Sequence, residues 1–248
     1  MDLALKGCNA IIAGASRGIG LAIAQALAEE GCNVALGAQE AAQLDEAAAR
    51  LRAHEVEVVA LAADFSGGDG CRAFVEGAVA GLGGCDILVN NGDGGIRGTL
   101  ESLDAAQWRL TFDLELMSCV HTTRFAVPHL KKSRAGRVLN VAGISGTMLF
   151  PGTLATSLPH AAIIRFGKLM AAELAPFGIL VNTLCPGNVE GEGEGAERPS
   201  GALAAMSMLN RLGRPREIGW LAAFLVSGRN SYMTGSTVEC CGGATRYL

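Results

Sequence analysis

Short apolar runs alternate along the chain with longer, alanine-rich segments of helical periodicity, and this alternation constrains the fold more than any other feature. The apolar runs carry Val, Ile or Leu at consecutive positions, as strands buried on both faces of a sheet do. They predict strands at 8–13, 33–37, 56–62, 86–90, 137–142, 179–184 and 237–240. The segments between them predict helices near 18–30, 41–54, 68–81, 103–131, 155–175 and 216–227. Regular alternation of this kind predicts an α/β fold with a doubly wound parallel sheet of the Rossmann type.

The length of the chain, 248 residues, fits one domain of the larger single-core kind. We see no linker and no internal repeat, so residues 1–248 are interpreted as a single domain. One segment of low complexity, at 191–199, is built mainly of Gly and Glu and cannot pack a core. It predicts a mobile loop near 188–210, on the substrate side of the domain.

The composition excludes several classes of protein. Half of the residues are hydrophobic and only 18% are charged, which excludes an intrinsically disordered chain. With 20 basic and 24 acidic side chains and a net charge of −4, the chain lacks the basic field of a nucleic-acid binder. Charged residues or glycine pairs interrupt every apolar stretch before it reaches the ~20 residues of a membrane span. A small molecule is therefore the expected ligand, with neither nucleic acid nor a membrane as partner.

The eight cysteines form no C-x-x-C pair and no Cys/His cluster of metal-ligand spacing. No metal site is therefore predicted. Several cysteines lie inside apolar runs, as Cys185 does, which is typical of buried free thiols in a reducing compartment. The N-terminus lacks the basic-then-apolar order of a signal peptide. Both observations favour a cytoplasmic protein.

A glycine-rich turn follows the first predicted strand and leads directly into the first predicted helix. Its sequence is Gly14-Ala-Ser16-Arg17-Gly18-Ile19-Gly20. Glycines at these positions let the backbone turn sharply and bring its amides against a pyrophosphate at the helix N-terminus. The position of the turn between a strand and a helix makes a dinucleotide-binding loop the favoured interpretation over a simple tight turn.

This glycine spacing resembles that of the short-chain dehydrogenases/reductases, and further matches follow along nearly the whole chain. They include Asn90-Asn91-Gly92 after the fourth strand, Pro186-Gly187 after the sixth, and the C-terminal segments 211–215 and 231–235. The resemblance implies an NAD(P)-dependent oxidoreductase. By the same resemblance, Asp64 and Phe65 are expected beside the adenine, and Asn91, Gly92, Pro186 and Gly187 elsewhere along the cofactor.

The choice between NAD and NADP rests on two places in the sequence. In the family, an acid at the end of the second strand goes with NAD, and a basic residue after it or in the glycine loop goes with NADP. Here the second strand ends in Gly37-Ala38-Gln39, without charge, and Arg17 occupies the glycine loop. Arg17 is either a ligand of a 2′-phosphate or a solvated loop charge, and NADP is slightly favoured.

The four catalytic positions of the family do not match. Members use a Ser, a Tyr, a Lys four residues after the Tyr, and an Asn on the preceding long helix. The resemblance places Gly143, Thr156, His160 and Glu115, in that order, at these positions. Hydride transfer to a carbonyl needs a proton donor at the oxygen, and a Thr hydroxyl is a weak acid. Ordinary carbonyl reduction is therefore expected to be weak or absent.

Three functions remain open at this point. The chain is an oxidoreductase with an unrecognised proton donor, or a non-redox hydratase, lyase or isomerase that uses Glu115 and His160, or a catalytically silent dinucleotide-binding or scaffold protein. His160 is a replacement in an inactive site, a ribose-binding donor or an acid/base group. Glu115 is a solvated acid in an open cleft or a partner of His160. Coupled groups are expected about 2.6–3.2 Å apart, or bridged by one water.

Three further expectations concern the surroundings of these residues. Ser145 and Ser157 lie near the site in sequence, but neither shows a Ser-His-Asp setting, and the sequence contains no nucleophile elbow. Pro159 is tolerable in the first turn of a helix, so the fifth helix is expected to begin near residue 156. That helix carries a broad apolar stripe at 163, 164, 166, 169, 170 and 174. With the helix near 103–131, the stripe predicts a homo-oligomer, a dimer or a tetramer.

Overall fold

A seven-stranded parallel sheet forms the centre of the computed structural model, which describes residues 1–92, 96, 98–150, 152–191 and 201–245. The strands are β1 (Asn9–Ala13), β2 (Asn33–Ala38), β3 (Val58–Ala62), β4 (Ile87–Asn90), β5 (Arg137–Val141), β6 (Leu180–Pro186) and β7 (Thr237–Cys240). Their order across the sheet is β3-β2-β1-β4-β5-β6-β7. The predicted doubly wound α/β fold is confirmed.

Helices cover both faces of this sheet. They are α1 (Gly18–Glu29), α2 (Ala41–Leu51), α3 (Gly68–Leu82), α4 (Ala105–Phe112), α5 (Ser118–Leu130), α6 (Leu154–Leu174), α7 (Gly201–Ala205) and α8 (Pro215–Val226). Within the described ranges, no helix is both long and apolar enough to cross a bilayer.

Adjacent residues of β1 show how the two faces are buried. Ile11 packs in the cluster that contains Phe74 and Leu130, whereas Ile12 packs in the cluster that contains Leu27. Both isoleucines are fully buried. Since successive side chains of a strand point to opposite faces, a strand covered on both sides must be apolar at every position. This requirement explains why the strands could be read as continuous apolar runs.

The strand order reverses beside β1, whose two neighbours are β2 and β4. The connections after β1 and after β4 leave the sheet in opposite directions, so a crevice opens at the carboxyl ends of these strands. In open α/β sheets, ligands bind in such a crevice. The fold therefore places the glycine-rich turn, which follows β1, at the expected ligand site.

The predicted helix near 103–131 is confirmed in extent, since helical residues run without a gap from Ala105 to Leu130, but its middle is not α-helical. The structure has α4 and α5 instead, joined by one wide π-helical turn at Asp113–Met117. The amide of Ser118, which follows this turn, donates to the carbonyl of Asp113. Such a turn inserts a residue into the helical repeat and is frequent at functional sites. Here it contains Glu115, which is 2% exposed.

The fifth helix starts within two residues of the expected position near 156, but Pro159 does not lie in its first turn as expected. Helix α6 begins at Leu154, with Thr153 at its N-cap, and the amide of Ser157 donates to the carbonyl of Thr153 at 2.8 Å. Pro159 therefore lies inside the helix. Its missing N–H costs one backbone hydrogen bond, but both Pro159 and Ala155 are buried. Packing of these side chains keeps the first turns helical.

The predicted mobile loop near 188–210 falls partly outside the described residues, which exclude 192–200. On its near side, the amide of Glu190 donates to the carbonyl of Gly213 at 2.9 Å. On its far side, residues 201–205 form the short helix α7. The mobility of the loop stays a prediction.

Candidate functional site

The glycine-rich turn is held tightly between β1, α1 and the end of β4. A Cβ on Gly14 would collide with the carbonyl oxygen of Asn91, and a Cβ on Gly20 would collide with the carbonyl oxygen of Gly14. The Asn91 side chain donates to that same Gly14 carbonyl at 2.9 Å. Only glycine allows this approach, so these two positions set the shape of the loop.

Gly18 has the opposite environment. Its φ is +55°, and apart from its chain neighbours and its own helix backbone, no atom of the described residues would lie within 4 Å of a Cβ at this position. It is also the first residue of α1, a helix of 12 residues with Arg17 at its N-cap. The first amides of a helix lack intrahelical partners and attract anions. A pyrophosphate therefore fits the open space above Gly18.

An open cleft of about 1130 Å³ extends from this turn across the carboxyl ends of the strands. Eight of the predicted cofactor-binding residues line it: Gly14, Ser16, Arg17, Gly18, Ile19, Phe65, Asn91 and Gly92. Four others do not line the described cleft: Gly20, Asp64, Pro186 and Gly187. Gly20 instead packs against the carbonyl of Gly14. The amide of Gly187 donates to the carbonyl of Cys240 at 3.0 Å.

Phe65 and Asp64 behave differently although they are neighbours. Phe65 is buried against Phe74, with ring centroids 5.2 Å apart in an edge-to-face arrangement. Asp64 is exposed and accepts a hydrogen bond from the amide of Ser66 at 2.8 Å. This backbone bond, together with a bond from the Ser66 side chain, holds the pKa of Asp64 below its usual value. The carboxylate is therefore charged at neutral pH.

The cleft also has a wall that the sequence did not reveal. Gln39, which follows β2, and Gln43 and Arg50 of α2 also line the cleft. The Ser16 hydroxyl donates to the Gln43 side chain at 3.3 Å. Polar residues on an amphipathic helix give no sequence signal of binding, because they look the same as a solvated face.

At its other end the cleft reaches the neighbours of the residues that the resemblance places at catalytic positions. Leu114 and Ala142 line the cleft and directly precede Glu115 and Gly143 in sequence. Thr156 stands farther along, on α6, and its hydroxyl donates to the carbonyl of Thr153 at 3.3 Å. This bond to the residue three positions back lies within the first turn of α6 and engages the hydroxyl proton locally.

Glu115 and His160 meet. The distance from Glu115 Oε2 to His160 Nε2 is 3.5 Å, somewhat longer than the expected hydrogen-bond range but within that of an ion pair. The Glu115 side chain is 3% exposed and that of His160 is 19% exposed. The interpretation of Glu115 as a solvated acid is therefore wrong, because the π-helical turn directs this carboxylate into the protein.

The other nitrogen of the same imidazole is engaged by Ser145. Its hydroxyl lies 2.7 Å from His160 Nδ1. The expectation that Ser145 has no Ser-His-acid setting is wrong, because it did not foresee that the ring bridges two partners. Ser157 is different: its hydroxyl pairs with that of Thr153 at 2.9 Å.

Two glycines make this arrangement possible. A Cβ on Gly143 would lie 2.8 Å from both Cε1 and Nδ1 of His160. A Cβ on Gly146 would lie 2.8 Å from the His160 carbonyl carbon and 2.9 Å from the amide of Ala161. The turn that carries Ser145 can therefore approach α6 closely, and the imidazole can lie in the space beside position 143. The sequence signal is the segment Gly143-Ile-Ser145-Gly146.

Comparison with known families and proteins gives close matches. The family model for Enoyl-(Acyl carrier protein) reductase matches residues 14–245. The chain is 35% identical over 239 residues to nodulation protein G of Azospirillum brasilense, covering 94% of this chain and 96% of that protein. It is 32% identical over 238 residues to a 3-oxoacyl-(acyl-carrier-protein) reductase of Staphylococcus epidermidis, covering 95% and 98%.

Solved structures agree over the whole length. L-sorbose reductase from Gluconobacter frateurii, complexed with NADPH and L-sorbose, superposes with a TM-score of 0.95 at 30% identity, covering 100% of both chains. A short-chain dehydrogenase from Burkholderia cenocepacia, in complex with NADP, superposes with a TM-score of 0.92 at 27% identity, covering 97% of this chain and 99% of that one.

Proposed function

The chain belongs to the short-chain dehydrogenase/reductase family, and from this premise we propose that it binds NADP(H) but reduces ordinary carbonyl compounds weakly or not at all. The nicotinamide of a bound cofactor supplies or accepts a hydride. The observation that carries the second half of the proposal is the hydroxyl of Thr156. It donates to the backbone carbonyl of Thr153, at the position where the resemblance places the acidic Tyr of the family.

Cofactor binding is supported by the described cleft. The turn around Gly18 has space for a pyrophosphate, and Arg17 beside it can pair with a 2′-phosphate. Asn91 ties the turn to the end of β4 through the Gly14 carbonyl. The relatives from Gluconobacter frateurii and Burkholderia cenocepacia were crystallised with NADPH and NADP, which favours the phosphorylated cofactor here.

The residues around the reacting end favour a changed chemistry. Reduction needs a donor at the carbonyl oxygen, and such a donor contributes about 10²–10⁴ in rate. Position 143 has no side chain to orient the substrate, and the imidazole of His160 lies against that position. The resemblance places His160 where the family has the Lys that holds the ribose. Both of its ring nitrogens are engaged, one by Ser145 and the other by Glu115.

Titration with NADPH and NADH, followed by nicotinamide fluorescence and thermal unfolding, tests the cofactor half of the proposal. We expect binding of both, tighter for NADPH, and turnover near background with a panel of ketones, aldehydes and 3-oxoacyl thioesters. Robust ketone reduction would contradict the second half. Failure to bind either nucleotide would contradict the first.

A second candidate function is a non-redox proton transfer, as in a hydratase, lyase or isomerase. The 3.5 Å approach of Glu115 to His160 favours it, because a carboxylate and an imidazole together can take a proton at one atom and return it at another. Exchange of substrate C–H protons with deuterated water, measured by NMR without nucleotide, tests this candidate. Exchange that survives Glu115→Gln would rule it out. If neither exchange nor ketone turnover occurs, a silent dinucleotide binder is the better interpretation.

A further inference from the structure

Ser145, His160 and Glu115 form a continuous polar chain across three separate elements. Ser145 lies in a 3-10 turn, Ile144–Gly146, that follows β5, whereas His160 lies on α6 and Glu115 lies in the π-helical turn. The hydroxyl is 2.7 Å from one imidazole nitrogen and the carboxylate is 3.5 Å from the other. A serine, a histidine and an acid in this order are the groups of a nucleophilic triad.

The charge of Glu115 determines which nitrogen of His160 carries the ring proton, and therefore the direction of the contact with Ser145. A carboxylate that faces Nε2 favours the tautomer with the ring proton on that nitrogen. Nδ1 then carries a lone pair and accepts the proton of the Ser145 hydroxyl. The arrangement is a triad in which the two ring nitrogens have exchanged roles. The electronic effect is the same, since the imidazole still connects the hydroxyl to the acid.

The surroundings hold these groups in place. The amide of Gly146 donates to the carbonyl of Gly143 at 2.9 Å, which closes the turn around Ser145. Gly143 and Gly146 leave space for the imidazole and for the backbone of α6, because a Cβ at either position would collide with them. Glu115 is nine-tenths buried or more, whereas Ser145 keeps part of its surface exposed. Of the three groups, the Ser145 hydroxyl is therefore the one that a substrate can reach.

We propose that Ser145 is a nucleophile that accepts acyl groups from activated esters or thioesters, with His160 as its general base and Glu115 as the group that orients His160. The Oγ forms a bond to the carbonyl carbon while its proton passes to Nδ1. The bond from that carbon to the leaving oxygen or sulfur then breaks, and the leaving group takes the proton from Nδ1. Water adds to the acyl carbon with the same base, releases the carboxylic acid and restores the hydroxyl. No oxidation or reduction takes place.

This proposal uses none of the residues of the glycine-rich turn, so it does not depend on nucleotide binding. It shares Glu115 and His160 with the proton-transfer candidate described above. The two proposals differ in one intermediate. Acyl transfer leaves an acyl group bonded to Ser145, whereas proton transfer by Glu115 and His160 alone forms no covalent bond there. The test is therefore the formation and location of an acyl group.

The experiment exposes the full-length protein to p-nitrophenyl acetate and to an acetyl thioester of a small thiol. Release of p-nitrophenolate is followed optically, and the acetylated residue is located by peptide mass spectrometry. We expect a rapid first turnover with the acetyl group on Ser145. His160→Gln and Glu115→Gln should each slow this step by about 10²-fold or more. Ser145→Ala should remove the adduct.

Ser157→Ala is the matched control, because Ser157 is a half-buried serine on the same side of the fold whose hydroxyl pairs with Thr153. It should acetylate at the wild-type rate. Ser145→Cys keeps a nucleophile in place and should still acetylate at residue 145, and thermal unfolding verifies that each variant folds. Acetylation of cysteines only, no adduct, or an unchanged rate in His160→Gln would each overturn the proposal.

Discussion

The imidazole of His160 occupies the space that a side chain on Gly143 would need. A Cβ on that glycine would lie 2.8 Å from two ring atoms, a separation that real Cβ atoms essentially never show. The lack of a side chain at 143 and the position of the imidazole of residue 160 are thus physically linked. A side chain at 143 and the present position of the ring exclude each other.

Gly143→Ala should therefore displace the imidazole from Ser145. Overpacking of a well-filled site costs about 1–3 kcal/mol, so we expect the free energy of unfolding to fall by that amount. Chemical denaturation and the NMR signals of His160 are the measurements. Gly67→Ala is the control, because in the described structure a Cβ there has no atom within 4 Å and its φ is −134°. Equal stability of the two variants would contradict the steric argument.

The strands and the glycine-rich turn could be predicted because both follow from local rules. A strand covered on two faces must be apolar throughout, and β7 was predicted with its observed bounds, Thr237–Cys240. The turn carries its own glycines. By contrast, the π-helical turn at Asp113–Met117 leaves no mark in a helical pattern, since π turns and α turns use similar residues.

The candidate site could be predicted only in part. Glu115 and His160 were found because the family resemblance pointed to their positions. Ser145 was dismissed, although its hydroxyl lies 2.7 Å from the ring, because that contact joins residues fifteen apart in sequence. It depends on free space beside Gly143 and Gly146, which a sequence pattern does not display.

Arg17→Ala should weaken NADPH binding more than NADH binding. A charge-assisted hydrogen bond to a phosphate contributes about 1.5–3 kcal/mol, so the affinity for NADPH should fall about tenfold or more. NADH, which lacks the 2′-phosphate, should bind the variant and the parent alike in fluorescence titrations. Arg52→Ala is the control, since Arg52 is exposed and lies outside the lining of the described cleft. An equal loss for both nucleotides would assign Arg17 to the pyrophosphate instead.

Glu217 gives a pH-dependent contribution to stability. Hydrogen bonds from Arg211 and from the amide of Arg214 lower the pKa of Glu217 to about 2. The carboxylate therefore stabilises the fold above its unfolded pKa, near 4.5, and this stabilisation is lost as the pH falls through about 2. The pair is partly exposed, so Glu217→Gln should cost only about 0.5–1 kcal/mol at neutral pH. The difference between variant and parent in urea unfolding should shrink at acidic pH; a constant difference would contradict this.

The eight cysteines, all within the described ranges, should differ in reactivity toward thiol reagents. Burial raises the pKa of Cys119 and of Cys185 to about 12, so both stay protonated and inert. For Cys241, burial acts in the same direction, but hydrogen bonds from Thr245 and from the neighbouring amides lower its pKa overall. Labelling with iodoacetamide at pH 8 should modify Cys241 first. Cys241→Ser should remove the fast phase, whereas Cys240→Ser should retain it, since burial raises the pKa of Cys240.

Exposed leucines on α6 bear on the predicted homo-oligomer. Leu158 is 48% exposed and Leu169 is 55% exposed, although both lie on a helix whose inner face, with Ile163 at 3%, is already buried against the sheet. Apolar side chains outside the core lose contact with water when two copies associate, which favours a dimer or a tetramer. Light scattering should therefore give a mass of two or four times 25.5 kDa.

Leu169→Asp should shift the distribution toward the monomer at low micromolar concentration. Leu149→Asp is the matched control, because Leu149 is 94% exposed in the loop before α6 and lies outside the proposed interface. A monomeric parent protein, or the same shift in both variants, would rule out α6 as the interface.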